Sequence, residues 1–378
     1  MRVCGLALVV AVLSAVALGG CSSQRWPWPG ASLATAVPST EEASTSSESP
    51  TGDGAHPEPT RAIVASPTGA TEGATRPPES PTAVPSRTGV GSAEPTPSVA
   101  ASPTAVATPF SEPSADDVIL HPTPRSSLWK QRGLALTTGE LEGVVFDGEA
   151  DAVTLPNGAP AGRGLVTSRV LEAPHPFTSV VVSWNADTPP GTELNVQARV
   201  RVQGAWSTWY RLGVWALGRG QSVGGQADAL AAVDVDTLSL RRPADAVQYR
   251  VELRGGPAVR PSLRLVAVSL ADPRAPLPDP PALQPNWARD LPVPARSQLA
   301  EHPSIAGLIC SPTSLSMVLA FWGVEKPTAE VCQLVYDRGE RIYGNWPFNT
   351  AAASALGMEA YVDRFWSVER LQNEVAQG

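Results

Sequence analysis

The sequence predicts a chain of mixed build: a disordered stalk, an all-β domain of sandwich type with a jelly-roll-like strand pattern, and a helical region at the C-terminal end. Three observations carry this reading. Pro, Ser and Thr are crowded into the first third of the 378 residues, and that crowding accounts for much of the total of 39 Pro. Strict alternation of apolar and polar residues, the signature of half-buried strands, runs through Val196–Val202 and Gln248–Leu253. Apolar residues at helical spacing follow Cys310 (Leu315, Val318, Leu319 and Trp322), closed by Gly323.

Composition removes several classes of function. A net charge of −8 argues against a nucleic-acid partner held through a basic surface. Four Cys are too few for a disulfide-dense scaffold, and four His (His56, His121, His175 and His302) make a multi-His metal site improbable. No cofactor is implied.

The first 20 residues read as a signal peptide. A basic Arg2 precedes the apolar run Leu6–Leu18, which is shorter than the ~20 residues a membrane-spanning helix needs. Leu18-Gly19-Gly20-Cys21 resembles the lipobox of bacterial lipoproteins, in which small residues admit the peptidase and the Cys receives the lipid. Cys21 is therefore the expected lipidation site, and membrane anchorage outside the cytoplasm the expected location. The plainer alternative is an ordinary secretory signal with Cys21 near its cleavage point.

Residues 21–115 read as a tether. Ser-Pro-Thr recurs from Ser49, Ser66, Ser80 and Ser102, and no apolar period exists to build a core that could offset the entropy of ordering the chain. A coil of this length spans about 50–60 Å, more where Pro stiffens it. Trp26 and Trp28 either rest at the membrane interface or are stray aromatics.

Residues 116–272 read as the all-β domain. Thr178–Trp184 and Ser262–Leu270 add strand candidates, and Pro189-Pro190-Gly191, Gly224-Gly225 and Gly255-Gly256-Pro257 mark turns. Within Ala205–Trp215, a strand would put Trp209, Arg211 and Trp215 on one face, where they could stack against a sugar ring. The competing reading has the Trp side chains packing on the sheet edge or the next domain, the commoner use of large aromatics. Asp234 and Asp236 alternate out of a strand; two carboxylates alone are a weak calcium signal, and a solvated strand face is the simpler reading.

Residues 273–290 form a Pro-rich linker, and 291–378 carry the chemistry. Pro312 suits a first helical turn, which places Cys310 at or just before a helix N-terminus. Unpaired N–H groups and the positive end of the helix dipole favour a thiolate there, as a cysteine nucleophile requires.

The run Gln298, a gap, then Cys310-Ser311-Pro312-Thr313-Ser314 and an apolar helix resembles the bacterial cysteine peptidases of family thirty-nine, the bacteriocin-processing double-glycine peptidases and their secreted relatives. Tyr343-Gly344-Asn345-Trp346-Pro347-Phe348-Asn349-Thr350 extends the resemblance, which covers residues 292–378. The more usual residue after the Cys is Gly, where this chain has Ser311. The resemblance implies a papain-like α+β fold, Cys310 as nucleophile, and Gln298 as the side-chain donor to the oxyanion. Its implied substrate is a peptide or protein of the cell envelope.

It also implies a His and an Asp or Asn on later strands, yet no His follows Cys310. His302 shares a loop with Gln298, on the wrong side of the expected site, and reads as a loop residue. The chain thus reads as a truncated copy, the helical half of the domain, inactive as written. Cys332 either pairs with Cys310 in a disulfide or is a buried thiol, the latter preferred. The rival functional reading is a non-catalytic surface lipoprotein that binds carbohydrate or cell-wall polymer through the β domain.

Overall fold

The computed structural model describes residues 7–9, of which only the backbone is considered, and residues 116–158, 162–288 and 290–377. Cys21, Trp26, Trp28 and the stalk over 21–115 lie outside the described residues. Among the described residues no helix is long and apolar enough to cross a membrane.

A three-residue strand β1 (Ala7–Val9) opens the described chain. Thirteen strands then build one antiparallel sheet: β2 (Asp117–Leu120), β3 (Ser126–Arg132), β4 (Glu140–Glu142), β5 (Val145–Asp147), β6 (Ala152–Thr154), β7 (Arg163–Thr167), β8 (Leu171–Asp187), β9 (Glu193–Val202), β10 (Ala205–Trp206), β11 (Tyr210–Trp215), β12 (Ala231–Asp234), β13 (Thr237–Arg254) and β14 (Ser262–Ala271). Its main path runs β10-β9-β13-β8-β14-β3-β2. Turns at 189–191, 224–225 and 255–257 fall between strands, as the Pro and Gly clusters there require.

Two long strands organise this sheet. β13 pairs with β8 along its first part and with β9 and β7 along its second, and its register shifts between Ser239 and Ala246. Pro243 lies inside that break, where a residue without an N–H removes nothing from the ladder. Val196, Ala198 and Val200 of β9 are fully buried while Arg199 and Arg201 remain half-exposed, but Gln197 on the polar side is buried too, its Oε1 accepting from Arg250 at 2.6 Å.

The C-terminal part adds α1 (Gln298–Glu301), α2 (Cys310–Phe321), α3 (Thr328–Val335), α4 (Trp346–Ala355), β15 (Glu359–Tyr361) and α5 (Val368–Gln377). β1 pairs with β15 in parallel. Leu315 and Leu319 of α2, Val331 and Val335 of α3, and Phe348 with Ala351–Ala353 of α4 are buried in the same core as the sheet. The sheet and the helices therefore share one hydrophobic interior.

α4 is the hinge-pin of that union. Asn345 caps it by accepting the Phe348 N–H at 3.1 Å, and Pro347 sits in the first turn. Three consecutive alanines let the helix lie close on β8. Phe348 fills the joint, its ring centroid 5.2 Å from Trp215 and 6.1 Å from Trp184. Gly220 makes room for it, since a Cβ there would stand 2.8 Å from the Phe348 ring.

Polar side chains of the sheet complete the docking. Asn185 and Ser183 of β8 hydrogen-bond the backbone of Ala360 and Val362, so side chains of the sheet satisfy backbone groups in and just after β15. Asp236 is not on a solvated face. β12 ends at Asp234, Val235 turns the chain with φ of 56°, and Asp236 is buried with its carboxylate accepting the Trp346 N–H at 3.0 Å. The reversal of the chain at Val235, just past the four-residue β12, is what turns Asp236 inward, toward the N-terminus of α4, where negative charge is favoured.

Candidate functional site

Cys310 is the first residue of α2, exposed, with its neighbour Ile309 fully buried as an anchor. The first N–H groups of an α-helix have no carbonyl within the helix to bond. Here the Thr313 N–H reaches back to the Ile309 carbonyl at 3.0 Å, and Pro312 has no N–H, so the donors at the helix mouth are those of Cys310 and Ser311. Ser311 donates its hydroxyl to Asn349 Oδ1 at 3.0 Å, which ties this first turn to α4.

Gln298 starts α1, and its side-chain amide donates to the Ala306 carbonyl at 2.7 Å. That bond closes the loop leading through the 3-10 turn Pro303–Leu308 to Cys310. An amide nitrogen carries two hydrogens, so the bond to Ala306 orients the group and uses one of them.

The described histidines are each engaged. His302 Nδ1 and the Ser304 hydroxyl are 3.1 Å apart. His175 meets Ser127 and the Pro176 carbonyl. His121 Nε2 faces Asp363 and Glu374 at 3.7 and 3.8 Å.

Both described cysteines are free thiols, so Cys310 and Cys332 form no disulfide. Cys332 is buried in α3, and burial pushes its thiol up to about 11, which keeps it protonated and unreactive near neutrality.

The three residues expected to stack on a ligand are not brought together. Trp215 is fully buried between Trp184 and Phe348. A register shift between Arg211 and Gly213 divides the strand, so Arg211 stays exposed while Trp215 turns to the helices. Trp209 is covered by the guanidinium groups of Arg250 at 4.3 Å and Arg199 at 4.7 Å. Packing and cation–π contact thus occupy the aromatic faces a sugar would need.

Two clusters escaped sequence reasoning. One is the buried polar set Asp337, Asn345 and Asn349 behind Ser311. Asn345 two residues before a Pro was its one visible signal, as a cap followed by a first-turn Pro. The other surrounds Asp363. Burial, with Glu374 adding repulsion, pushes this carboxyl up to about 7 against the opposing Arg364 N–H and charge. Asp363 Oδ2 and Glu374 Oε1 are buried without a hydrogen-bond partner. A cleft of about 400 Å³ opens beside them, lined among others by His121, Arg364, Trp366 and Arg370. No local pattern announces this cluster, because Asp363, Arg370 and Glu374 meet His121 from a distant part of the chain. Among the described residues no group of His, Cys, Asp and Glu is arranged to hold a metal ion.

Residues 125–271 match the family described as Peptidase C39 N-terminal domain, and residues 290–378 match the Peptidase C39-like family. No curated protein matches the chain. Among solved structures, a family two carbohydrate esterase from Cellvibrio japonicus aligns at 10% identity over 41% of this chain and 38% of that one, with a TM-score of 0.20. The match spans well under half of the esterase's own length. A xylan-binding module aligns at 15% identity over 41% of this chain and 98% of that one, with a TM-score of 0.21. A structure of infectious bursal disease virus, Gx strain, aligns at 12% identity over 40% and 35%, with a TM-score of 0.22. Similarity this low carries no argument about fold or ligand.

Proposed function

We propose that the chain, a relative of C39-like peptidases, uses its C-terminal region for peptide-bond hydrolysis through Cys310. The observation that carries this is the exposed thiol at the first position of α2, inside the matched stretch 290–378, with Gln298 in the helix before it. In the proposed step the Cys310 sulfur attacks the scissile carbonyl, the C–N bond breaks as the amine leaves with the proton the thiol gave up, and water then cleaves the thioester to the acid and the free thiol. The second N–H of the Gln298 amide and the Cys310 N–H receive the oxyanion. The general base is a group other than His121, His175 and His302, each of which is engaged elsewhere. With no base assigned among the described residues, Cys310 is expected to act as a nucleophile without turnover.

The proposal extends to the rest of the chain. We read the thirteen-stranded sheet as folding over itself in a jelly-roll sandwich, with β13 serving both layers through its register break. We read Cys21 as the lipid-bearing residue of an envelope lipoprotein, with residues 21–115 as the spacer between membrane and enzyme.

Thiol labelling tests the central claim. With the full chain at pH 7.5, iodoacetamide followed by peptide mapping should modify Cys310 at least about tenfold faster than Cys332. Equal, slow labelling of both would remove the nucleophile.

A further inference from the structure

We infer that Ser311 is a positioning residue for the Cys310 helix, and that it is the last link of a buried hydrogen-bond chain that starts in the β domain. This deepens the proposal of Cys310 as nucleophile and rests on it.

The chain can be followed atom by atom. It begins in the loop between β11 and β12, where the Ser222 N–H donates to Asp337 Oδ1 at 2.9 Å. Asn345 Nδ2 donates to the other oxygen, Asp337 Oδ2, at 2.8 Å. Asn349 Nδ2 donates to the Asn345 carbonyl at 2.8 Å and to the Tyr343 carbonyl at 3.0 Å. Asn349 Oδ1 then accepts the Ser311 hydroxyl at 3.0 Å, one residue from the sulfur-bearing Cys310.

Direction is set at every step. The Phe348 N–H can only donate, so Asn345 turns its Oδ1 toward it and its NH₂ toward Asp337 Oδ2. Asn349 has two carbonyls to satisfy, so its NH₂ faces them and its oxygen faces Ser311. The hydroxyl is left one role, that of donor. Asp337, Asn345 and Asn349 are each no more than 1% exposed, so a missing partner would leave a buried polar group unsatisfied. Flipping any amide breaks two bonds, which makes the arrangement stiff.

The β domain clamps the far end. Gly339 approaches so closely that a Cβ would stand 2.4 Å from the Ser222 carbonyl oxygen, and the Arg338 N–H donates to the Gly220 carbonyl at 3.0 Å. The loop holding Asp337 is thus fixed to the sheet by backbone contacts, and Asp337 transmits that fixed point to α4 and α2. A first turn held at Ser311 keeps its N–H groups aimed at the sulfur's position. A frayed turn would not.

The test measures Cys310 alkylation by iodoacetamide at pH 7.5 in the full chain, with Cys332 as internal reference. Ser311→Ala should slow Cys310 about fivefold, the equivalent of one hydrogen bond, at unchanged circular dichroism. Ser311→Thr, which keeps the donor, should return the rate to within about twofold of the original. Asp337→Asn, remote from the sulfur along the chain of bonds, should slow it in the same direction. An activated Cys310 in the parent with no change in Ser311→Ala overturns the positioning role and leaves the nucleophile standing. A parent Cys310 as slow as Cys332 overturns both. Should Asp337→Asn fail to fold, the Ala and Thr pair at 311 still decides.

Discussion

Phe348 of α4 lies against Trp215 of β11 with ring centroids 5.2 Å apart and planes tilted by 41°, and both side chains are 0–1% exposed. One aromatic from the helical region therefore plugs the sheet, and the joint between the two parts is core instead of surface contact.

Removing the plug should be expensive. Phe348→Ala is expected to lower stability by about 3–5 kcal/mol in urea unfolding, through lost burial plus a cavity that the sheet cannot collapse into. Combined with Trp215→Ala, the loss should fall short of the sum by about 0.5–1.5 kcal/mol, the coupling of an aromatic pair. Additive losses would mean that the two rings do not stabilise each other.

Gly220→Ala tests the socket. Its Cβ would meet the Phe348 ring at 2.8 Å with Trp215 behind it, so a loss of about 1–3 kcal/mol is expected from overpacking. Phe348→Leu in the same chain should recover part of that loss. A neutral Gly220→Ala would show that the ring has room to move.

Stability should fall as pH rises from about 4 to 7. Asp363 titrates near its usual 3.8 when unfolded and at about 7 when folded, so the folded state holds the proton more tightly between those values. The favourable contribution is complete below the unfolded value and is lost as pH climbs to the folded one. Asp236, pushed up to about 6 by burial, acts in the same sense. Asp363→Asn should flatten the slope and raise stability above pH 7, on the order of a few kcal/mol. Melting curves at pH 5 and pH 8 check this, and an unchanged slope in the variant would place the titration elsewhere.

Lipid attachment should depend on one thiol. In a bacterial host, labelled palmitate is expected in the parent chain and not in Cys21→Ser, which should move from the membrane to the soluble fraction. Label retained in Cys21→Ser would refute the lipoprotein reading.

Much of the architecture was legible in local pattern. Alternation over 196–202 and 248–253 lies within β9 and β13, and α2 occupies the stretch after Cys310 where apolar residues fall at helical spacing. Such features depend on period and on turn chemistry, which act over a few residues. Helix α4 was not legible as such, because Pro347–Ser354 are buried on all sides and no solvent-facing stripe marks the helix. The placing of Asp236 was not legible either, since alternation continues on paper through Val235 while the backbone reverses there.

The sequence by itself marked stretches within the long strands β8, β9, β13 and β14, the turns between them and the Cys310 helix, because these follow from side-chain period and from residues that permit or forbid a backbone shape. It also marked Cys310 as the residue to watch. Only the tertiary structure decided which side chains are available for chemistry. It buried Trp215 under Phe348, covered Trp209 with two arginines, sealed Cys332 in the core, and joined Ser311 to the β domain through Asn349, Asn345 and Asp337. The reason is physical. Burial and hydrogen-bond partners are properties of residues far apart in the chain, and they come into being only when the sheet and the helices close on a common core.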